Sequence, residues 1–403
     1  MSDLLYLDTA RLGRMSSGAA AATRDLVSLA ADEGGGLYFD RFLAGGLSRC
    51  PFPFANRYPG LAGWRGVDGL KADLRAVADG RCELPVLLAS RSATLVRFGA
   101  RLLCHPCRNI LTTDLDWPPY AATLTAEAQR AGRRVTVVPV RDLALSGRIT
   151  QDEMADLLCD RFAQAHCDGL YLTALSNTGV RLPSEQVVRR LEATHRVRAV
   201  VIDGAQEFGH VPPGPAVGHC DLYLAGTHKW LCGHLPLGVA FYGRRRSRGR
   251  VETLLTHMTA AGELDDPLLR YSSPRASRPG EAAGETIGLV PLFSAQGAVT
   301  DALESNASFT TRLQNARAAA AVAAAAGWAP LLPSEGLRSG ILLVRAIRRA
   351  AEDLHPEELR AALRVAGIAA TTYSGGLARL SMPASAWHTD ELDHLSRTLR
   401  GTA

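Results

Sequence analysis

The chain has 403 residues, of which 47% are hydrophobic and 21% are charged, and its formal net charge is +5. These values are ordinary for a globular protein, and so mild a charge does not argue for a nucleic-acid partner. The sequence has no uninterrupted apolar stretch of about 18 residues, so we expect no membrane span. Its N-terminus lacks a basic region followed by an apolar block, so we expect no secretory signal.

The eight cysteines are sparse for a chain of this length, which is typical of reduced thiols in the cytoplasm. Cys104 and Cys107 have C-x-x-C spacing, but no second ligand pair lies at a spacing suitable for a metal site. We therefore expect buried free thiols, no metal and a cytoplasmic protein. A basic run at 244–250 follows an apolar strand, and short charge runs of this kind predict a solvated turn.

The first predicted elements are a short apolar segment ending at Asp8, an Ala-rich helix at 16–33 and an amphipathic helix at 67–78. From Pro85 to Tyr242, strand and helix patterns alternate with short connections, which predicts a parallel sheet covered on both faces. The predicted strands lie at 85–89, 110–113, 134–140, 169–175, 199–203, 221–225 and 238–242. The later predicted helices of this region lie at 120–131, 151–165 and 183–194.

The character of the chain changes after about Pro274. The sequence predicts a long Ala-rich helical stretch at 289–326, strands at 341–345 and 377–381, and helices at 356–366 and 390–399. This pattern indicates a smaller α+β domain. We predict an N-terminal arm (1–15), a large domain (16–275) and a small domain (276–403), with the arm packed against the small domain.

Lys229 is conspicuous because the chain otherwise uses arginine for its positive charges. Lys and Arg together number 45, yet Lys71 and Lys229 are the only lysines. An amine can lose its proton when it is desolvated and can then condense with a carbonyl, which a guanidinium cannot do. Lys229 lies in an apolar neighbourhood, so it is the first candidate for chemistry, whereas Lys71 is predicted to face solvent.

Polar or aromatic side chains follow several predicted strands, at the edge where parallel sheets bind ligands. They are Ser92, Thr94, Trp117, Asn177, Asp203, Thr227, His228 and Lys229. The turn that contains Ser92 and Thr94 opens a helix, whose free N–H groups can bind phosphate. Each position also has an ordinary interpretation as a helix cap, a turn residue or a packed ring. Their repetition at successive strand ends favours a shared ligand.

Three motifs occur between Ser176 and Leu231: Ser-Asn-Thr-Gly-Val-Arg-Leu-Pro, Asp-Gly-Ala-Gln and Thr-His-Lys-Trp-Leu. Their order and spacing resemble the class V aminotransferase family, which binds pyridoxal 5'-phosphate (PLP) and includes cysteine desulfurases, kynureninase-like and isopenicillin N epimerase-like enzymes. The resemblance implies an α/β protein of PLP-dependent transferase fold type I. Such a protein has a mostly parallel seven-stranded sheet with helices on both faces and a smaller C-terminal α+β domain. It also implies a homodimer with the site at the subunit interface.

The resemblance implies a role for each residue around the cofactor ring. Lys229 is the lysine that forms the Schiff base with PLP, and Asp203 holds the pyridinium N–H, which keeps the ring able to accept electrons. Gln206 and Asn177 match positions near the phenolic oxygen of the ring. Trp117 matches the aromatic residue that stacks over it.

Further positions match the residues that hold the cofactor phosphate and the substrate. The phosphate set comprises Ser92, Ala93, Thr94, Thr227 and His228, with Thr286 reaching the phosphate of the other subunit. Arg379, within Ala378-Arg379-Leu380-Ser381, resembles the arginine of the family's Arg-x-Ser motif, which binds the substrate carboxylate. A bidentate guanidinium suits that task.

The chain departs from the family's pattern near its C-terminus. Residues 386–389 read Ala-Trp-His-Thr where a Tyr-Asn-Thr-like segment often follows the arginine motif, so the substrate pocket is expected to differ. No cysteine follows Cys232, although a persulfide-forming desulfurase needs one in the small domain. The stretch 368–376 lies where that loop would be and resembles the C–S lyases of ergothioneine biosynthesis.

The resemblance implies an enzyme that acts at the alpha carbon of a small-molecule amino acid substrate. An aminotransferase is the first prediction, and a C–S or other β-elimination lyase or an epimerase is the alternative, since all three share the same cofactor contacts. A non-catalytic cofactor-binding protein is the least favoured hypothesis. No membrane or nucleic-acid partner is expected.

Overall fold

The computed structural model describes residues 4–33, 43–46, 54–78, 84–212, 217–273, 287–305, 307–347 and 352–402. The strands are β1 (Leu5–Tyr6), β2 (Val86–Ala89), β3 (Asn109–Thr113), β4 (Arg134–Val138), β5 (Gly169–Thr173), β6 (Ala199–Asp203), β7 (Leu222–Gly226), β8 (Gly238–Phe241), β9 (Trp328–Leu331), β10 (Ile341–Ala346), β11 (Ile368–Ala369), β12 (Thr371–Tyr373) and β13 (Leu377–Ser381).

Helices alternate with these strands along the described chain. They are α1 (Ser17–Glu33), α2 (Phe54–Arg57), α3 (Gly66–Ala78), α4 (Ser92–Cys104), α5 (Pro118–Arg130), α6 (Arg141–Leu145), α7 (Gln151–Gln164), α8 (Ser184–Thr194), α9 (Arg245–Ala260), α10 (Pro267–Ser272), α11 (Leu289–Glu304), α12 (Phe309–Ala325), α13 (Pro356–Val365) and α14 (Thr389–Thr402). None of the described helices is both long and apolar enough to cross a membrane.

A seven-stranded sheet with the order β2-β8-β7-β6-β5-β3-β4 forms the centre of the molecule. Strand β8 is antiparallel to both of its neighbours, and the other pairs are parallel. Successive side chains of β5 enter different clusters: Leu170 and Leu172 enter one, and Tyr171 enters the other. A strand with both faces buried in this way reads as a continuous apolar run. The predicted mostly parallel seven-stranded sheet is confirmed.

The small domain contains the antiparallel sheet β12-β13-β10-β9, with apolar side chains of α12, α13 and α14 in its core. The N-terminal arm joins this domain, because β1 pairs in parallel with β11 and the side chain of Leu7 lies fully buried in the same core. The arm also reaches the large domain, since Ala10 packs with Leu175 and Trp230 in a separate cluster.

Helix α11 packs with the large domain. Its residues Leu292, Phe293 and Val299 belong to the same apolar cluster as the central sheet, and Gly297 lies so close to Gly18 of α1 that a Cβ there would meet the Gly18 carbonyl oxygen at 2.3 Å. We therefore propose that the small domain begins after α11, rather than at residue 276 as the sequence suggested.

The sequence prediction missed several local features. The helical stretch at 289–326 is two helices, because Ser308 caps α12 by accepting a hydrogen bond from the N–H of Thr311. The basic run at 244–250 opens α9 rather than forming a turn. Arg246, Arg248 and Arg250 are exposed, as the solvated interpretation predicted, but Arg246 also forms an ion pair with the buried Asp221. A charge run alone does not reveal a buried partner elsewhere in the chain.

Candidate active site

A cavity of about 400 Å³ lies at the carboxyl ends of β5 and β6, between the large domain, the small domain and the N-terminal arm. The structure brings together in its wall most of the residues that were predicted for the cofactor ring and the substrate. They are Trp117, Asn177, Asp203, Gln206, His228, Lys229 and Arg379. Predicted polar positions at separate strand ends therefore share one site, as expected for a parallel sheet.

Lys229 lies half-buried in the wall of this cavity, three residues beyond the end of β7. Burial lowers the pKa of its amine to about 8, and the neighbouring Arg379 lowers this pKa further, while Asp203 acts in the opposite direction. An amine with this pKa is partly neutral near pH 7.5, so it can act as a nucleophile or exchange a proton. The other lysine, Lys71, was predicted to face solvent, but its side chain is mostly buried and donates to Asp68 and to the carbonyl of Ser272.

Asp203 ends β6 with its carboxyl group buried. Burial raises the pKa of Asp203, although its Oδ1 accepts a hydrogen bond of 2.9 Å from the N–H of Ala205, which stabilises the charged form. A second buried carboxyl group lies below the site, where Asp116 accepts a hydrogen bond of 2.7 Å from Thr173. Burial raises the pKa of Asp116 to about 7. A cation bound beside Asp203 would stabilise its carboxylate.

The predicted phosphate residues that the structure describes lie beside this cavity, and among these His228 forms part of its wall. Helix α4 begins at Ser92, and Ser92 Oγ donates to the carbonyl of Ala225 at 3.2 Å. A Cβ built at Gly226 would come within 2.8 Å of Ser92 Oγ and 3.0 Å of the His228 ring, so glycine keeps this cradle open. Ala93 and Thr94 follow in the first turn of α4.

Two buried polar atoms in this cradle have no hydrogen-bond partner among the described residues: Thr227 Oγ1 and His228 Nδ1. Burial lowers the pKa of His228 to about 4, with Lys229 contributing, so its ring is neutral at physiological pH. Buried polar atoms are normally satisfied. A helix N-terminus with unsatisfied groups beside it has the chemistry of a phosphate site.

The two predicted amide side chains differ in their freedom to bind a ligand. Gln206 is held at both ends, since its Nε2 donates to the carbonyl of Ala10 at 2.7 Å and its Oε1 accepts from Trp230 at 2.8 Å. Asn177 has only a long contact of 3.4 Å, from its Nδ2 to the hydroxyl of Tyr373. The Asn177 side chain is therefore freer to turn toward a ligand, whereas Gln206 joins the arm at Ala10 to Trp230, the residue after Lys229.

Arg379 extends from β13 into the cavity with its side chain almost fully buried. Its NH2 group donates to Thr371 at 3.0 Å and contacts a carboxylate oxygen of Asp8 at 3.4 Å, while NH1 donates to the carbonyl of Asn177 at 3.3 Å. Its Nε atom has no partner among the described residues. Arg379 is thus held in place and keeps a donor available for an anion.

Sequence reasoning missed the contribution of the N-terminal arm to the site. The N–H of Ala10 donates to Ser381 Oγ at 3.0 Å, and the N–H of Gly13 donates to the carbonyl of His228 at 2.8 Å. A Cβ at Gly13 would lie 2.1 Å from the carbonyl oxygen of Lys229, so only glycine fits there. The apolar segment ending at Asp8 was the available signal, but nothing local related it to Lys229.

Other wall residues also come from segments to which the sequence assigned no role in the site. Tyr120 and Tyr373 line the cavity, and Tyr373 lies in the stretch that departs from the desulfurase pattern. Burial raises the pKa of Tyr120, and Asp203 adds to this shift, so its hydroxyl stays protonated at physiological pH. Trp117 caps α5 and is 43% exposed at the cavity edge. Thr286 lies outside the described residues, so its predicted role remains a prediction.

The sequence model of one protein family, aminotransferase class-V, matches residues 89–267, the segment that supplies Asp203 and Lys229. Residues 89–267 belong to the aminotransferase class-V family. Class-V aminotransferases are PLP-dependent enzymes, so the predicted family, enzyme class and cofactor are confirmed. No curated protein sequence matches the chain.

Solved structures with a similar fold are distant in sequence. The cysteine desulfurase CsdA from Escherichia coli is 17% identical with a TM-score of 0.68, covering 98% of this chain and 94% of its own. The cystine C-S lyase C-DES is 16% identical with a TM-score of 0.68, with coverage of 99% and 97%. Alanine–glyoxylate aminotransferase from Nostoc sp. is 15% identical with a TM-score of 0.67, with coverage of 100% and 95%. These similarities establish the fold.

The residues present fit PLP. The cradle of α4, Thr227 and His228 has unsatisfied buried groups that suit its phosphate. The buried Asp203 would pair with its protonated ring nitrogen, and Lys229 would attach to its aldehyde. The phosphate, the ring nitrogen and the aldehyde of PLP would therefore complement the α4 cradle, Asp203 and Lys229, respectively.

We expect the apo protein to bind PLP covalently at a rate that rises through about pH 8, because the attacking Lys229 amine must be neutral. The measurement is the appearance of the cofactor–lysine absorbance at different pH values. Arg379→Gln should move the midpoint to higher pH, since Arg379 lowers the pKa of Lys229. A rate that continues to rise beyond about pH 10, as for an exposed lysine, would contradict this assignment.

Replacing Thr227 with valine should weaken PLP binding about tenfold or more, the effect of losing one hydrogen bond to a charged group. The free energy of unfolding of the apo protein should not fall, because the lost hydroxyl has no hydrogen-bond partner among the described residues. Equilibrium dialysis and denaturant unfolding measure the two quantities. Thr227→Ser keeps the hydroxyl and serves as the control. Equal PLP affinity in the valine and wild-type proteins would remove Thr227 from the phosphate site.

Proposed function

We propose that the chain is an aminotransferase that acts at the alpha carbon of an amino acid. The observation that carries this proposal is the buried Lys229 amine, with a pKa of about 8, in the same cavity as Arg379. Such an amine can take a proton and return it at a different atom without a large free-energy penalty in either state. Transamination requires that a proton be moved in this way from one carbon atom to another.

When bound, PLP supplies an aldehyde to which amines add and a pyridinium ring that accepts electrons from the substrate alpha carbon. Asp203 would keep the ring nitrogen protonated, because its carboxylate is buried and stabilised by a cation beside it. Lys229 Nζ would remove the proton from the alpha carbon and place it at its new position. Trp117 at the cavity edge would cover the ring and exclude water.

Arg379 would bind the alpha-carboxylate of the substrate. Thr371 and Asp8 hold the guanidinium in position, so little conformational freedom is lost when the carboxylate binds. The free Nε and the Nδ2 of Asn177 supply further donors at the same end of the cavity. Fixing the carboxylate there sets the orientation of the alpha carbon toward Lys229.

We also infer a homodimer with the site at the subunit interface, as the family resemblance implies. The 43% exposure of Trp117, a large aromatic side chain in the cavity wall, supports a covering partner.

A β-elimination lyase is the second candidate, and Tyr373 is the observation that favours it. Its hydroxyl lies in the cavity wall, 3.4 Å from Asn177 Nδ2, on the small-domain side. A hydroxyl there could give a proton to a leaving group on the substrate beta carbon. A persulfide-forming desulfurase is disfavoured, because no cysteine follows Cys232.

A panel of amino acids separates these activities. The purified PLP-loaded enzyme is incubated with each amino acid alone, and the products and the absorbance of the cofactor are followed. An aminotransferase releases one equivalent of 2-oxo acid, converts the cofactor to its amine form and needs an added 2-oxo acid to turn over further. Repeated turnover that releases ammonia and pyruvate without an added 2-oxo acid would instead identify a lyase. Lys229→Ala should abolish either reaction.

A further inference from the structure

Arg11 is a second arginine in the wall of the active-site cavity, besides Arg379. The backbone around it is fixed, because its N–H donates to the carbonyl of Asp8 at 2.9 Å and the flanking Ala10 and Gly13 are bonded to both domains. The position of Arg11 at the cavity is therefore set by the arm, although its side chain is exposed.

The two arginines differ in their partners. Arg379 contacts the carboxylate of Asp8 and the hydroxyl of Thr371, whereas Arg11 has no ion pair with any described residue. Asp203 is the acidic residue among the described residues of the cavity wall, and it accepts a hydrogen bond from its own loop and is assigned to the cofactor ring. The wall therefore holds a cation without a counter-charge, on the element that closes the site over Lys229.

We propose that Arg11 binds an anionic group on the side chain of the substrate. The substrate class is then amino acids with a second acidic group, a carboxylate or a sulfinate, with Arg379 taking the alpha-carboxylate and Arg11 the distal anion. A planar guanidinium forms paired hydrogen bonds to such groups. This inference rests on the proposed action at an amino acid alpha carbon, and it holds for transamination and for elimination.

The test compares four forms of the PLP-loaded enzyme: wild type, Arg11→Gln, Arg11→Lys and Arg14→Gln. Arg14 is a matched control, because it is an exposed arginine of the same arm whose guanidinium lies over the Tyr6 ring at 4.7 Å and is not in the cavity wall. L-Aspartate, L-glutamate and L-cysteine sulfinate are titrated against L-alanine, and half-saturation is followed by the absorbance of the bound cofactor.

Wild type and Arg14→Gln should half-saturate with at least one acidic amino acid at a concentration about tenfold or more below that for alanine. In Arg11→Gln, the half-saturating concentration of that acidic amino acid should rise about tenfold or more, because one charge-assisted contact is removed. The half-saturating concentration of alanine should change little. Arg11→Lys should retain part of the preference through its charge. PLP affinity should be the same in all four proteins.

Three results would overturn the inference. The first is a wild type that half-saturates at equal concentrations of alanine and of all the acidic amino acids. The second is an Arg11→Gln variant whose half-saturating concentration rises equally for all ligands. The third is a loss of PLP affinity in Arg11→Gln, which would assign Arg11 to the cofactor. Failure of the proposed function gives a different result, because then no amino acid changes the cofactor absorbance in wild type. Thermal unfolding checks that Arg11→Gln is folded.

Discussion

The burial of one amine, that of Lys229, is the constraint on which the rest of the site depends. Removing an ammonium group from water favours its neutral form, so the pKa falls to about 8, while Asp203 limits the fall. An arginine in this place would stay charged and could not exchange its proton. The choice of lysine in a chain that otherwise prefers arginine therefore has a physical reason at this position.

The burial of the Lys229 amine is achieved by segments that are distant in the sequence. The arm closes over the lysine loop at Gly13, and Trp230, the next residue after the lysine, stacks on His210 with ring centroids 3.6 Å apart. His210 in turn accepts a hydrogen bond of 3.1 Å from the N–H of Gly340 in the small domain. The segment that contains Lys229 is thus packed against the arm, and Trp230 links it through His210 to the small domain. This packing restricts the access of water to the amine and holds the amine in place.

The sequence predicted the half of the site that belongs to the central sheet. Asp203 and Lys229 could be found because strand ends in a parallel sheet converge, and the motifs supplied their roles. Arg11 and Tyr373 could not be placed in the same way, because they reach the cavity of Lys229 only after the arm pairs with β11 and the small domain packs against the sheet. The ion pair of Arg246 was missed for the same reason, since its buried partner, Asp221, lies elsewhere in the chain.

The presence of only two lysines permits a direct test of the central claim that Lys229 holds the cofactor. The PLP-loaded protein is reduced with borohydride and digested, and the mass of each lysine-containing peptide is measured. We predict that the reduced cofactor is attached to Lys229 at close to one equivalent per chain and that Lys71 is unmodified. Attachment at Lys71, or no attachment at either lysine, would contradict the assignment of Lys229 as the lysine that holds PLP.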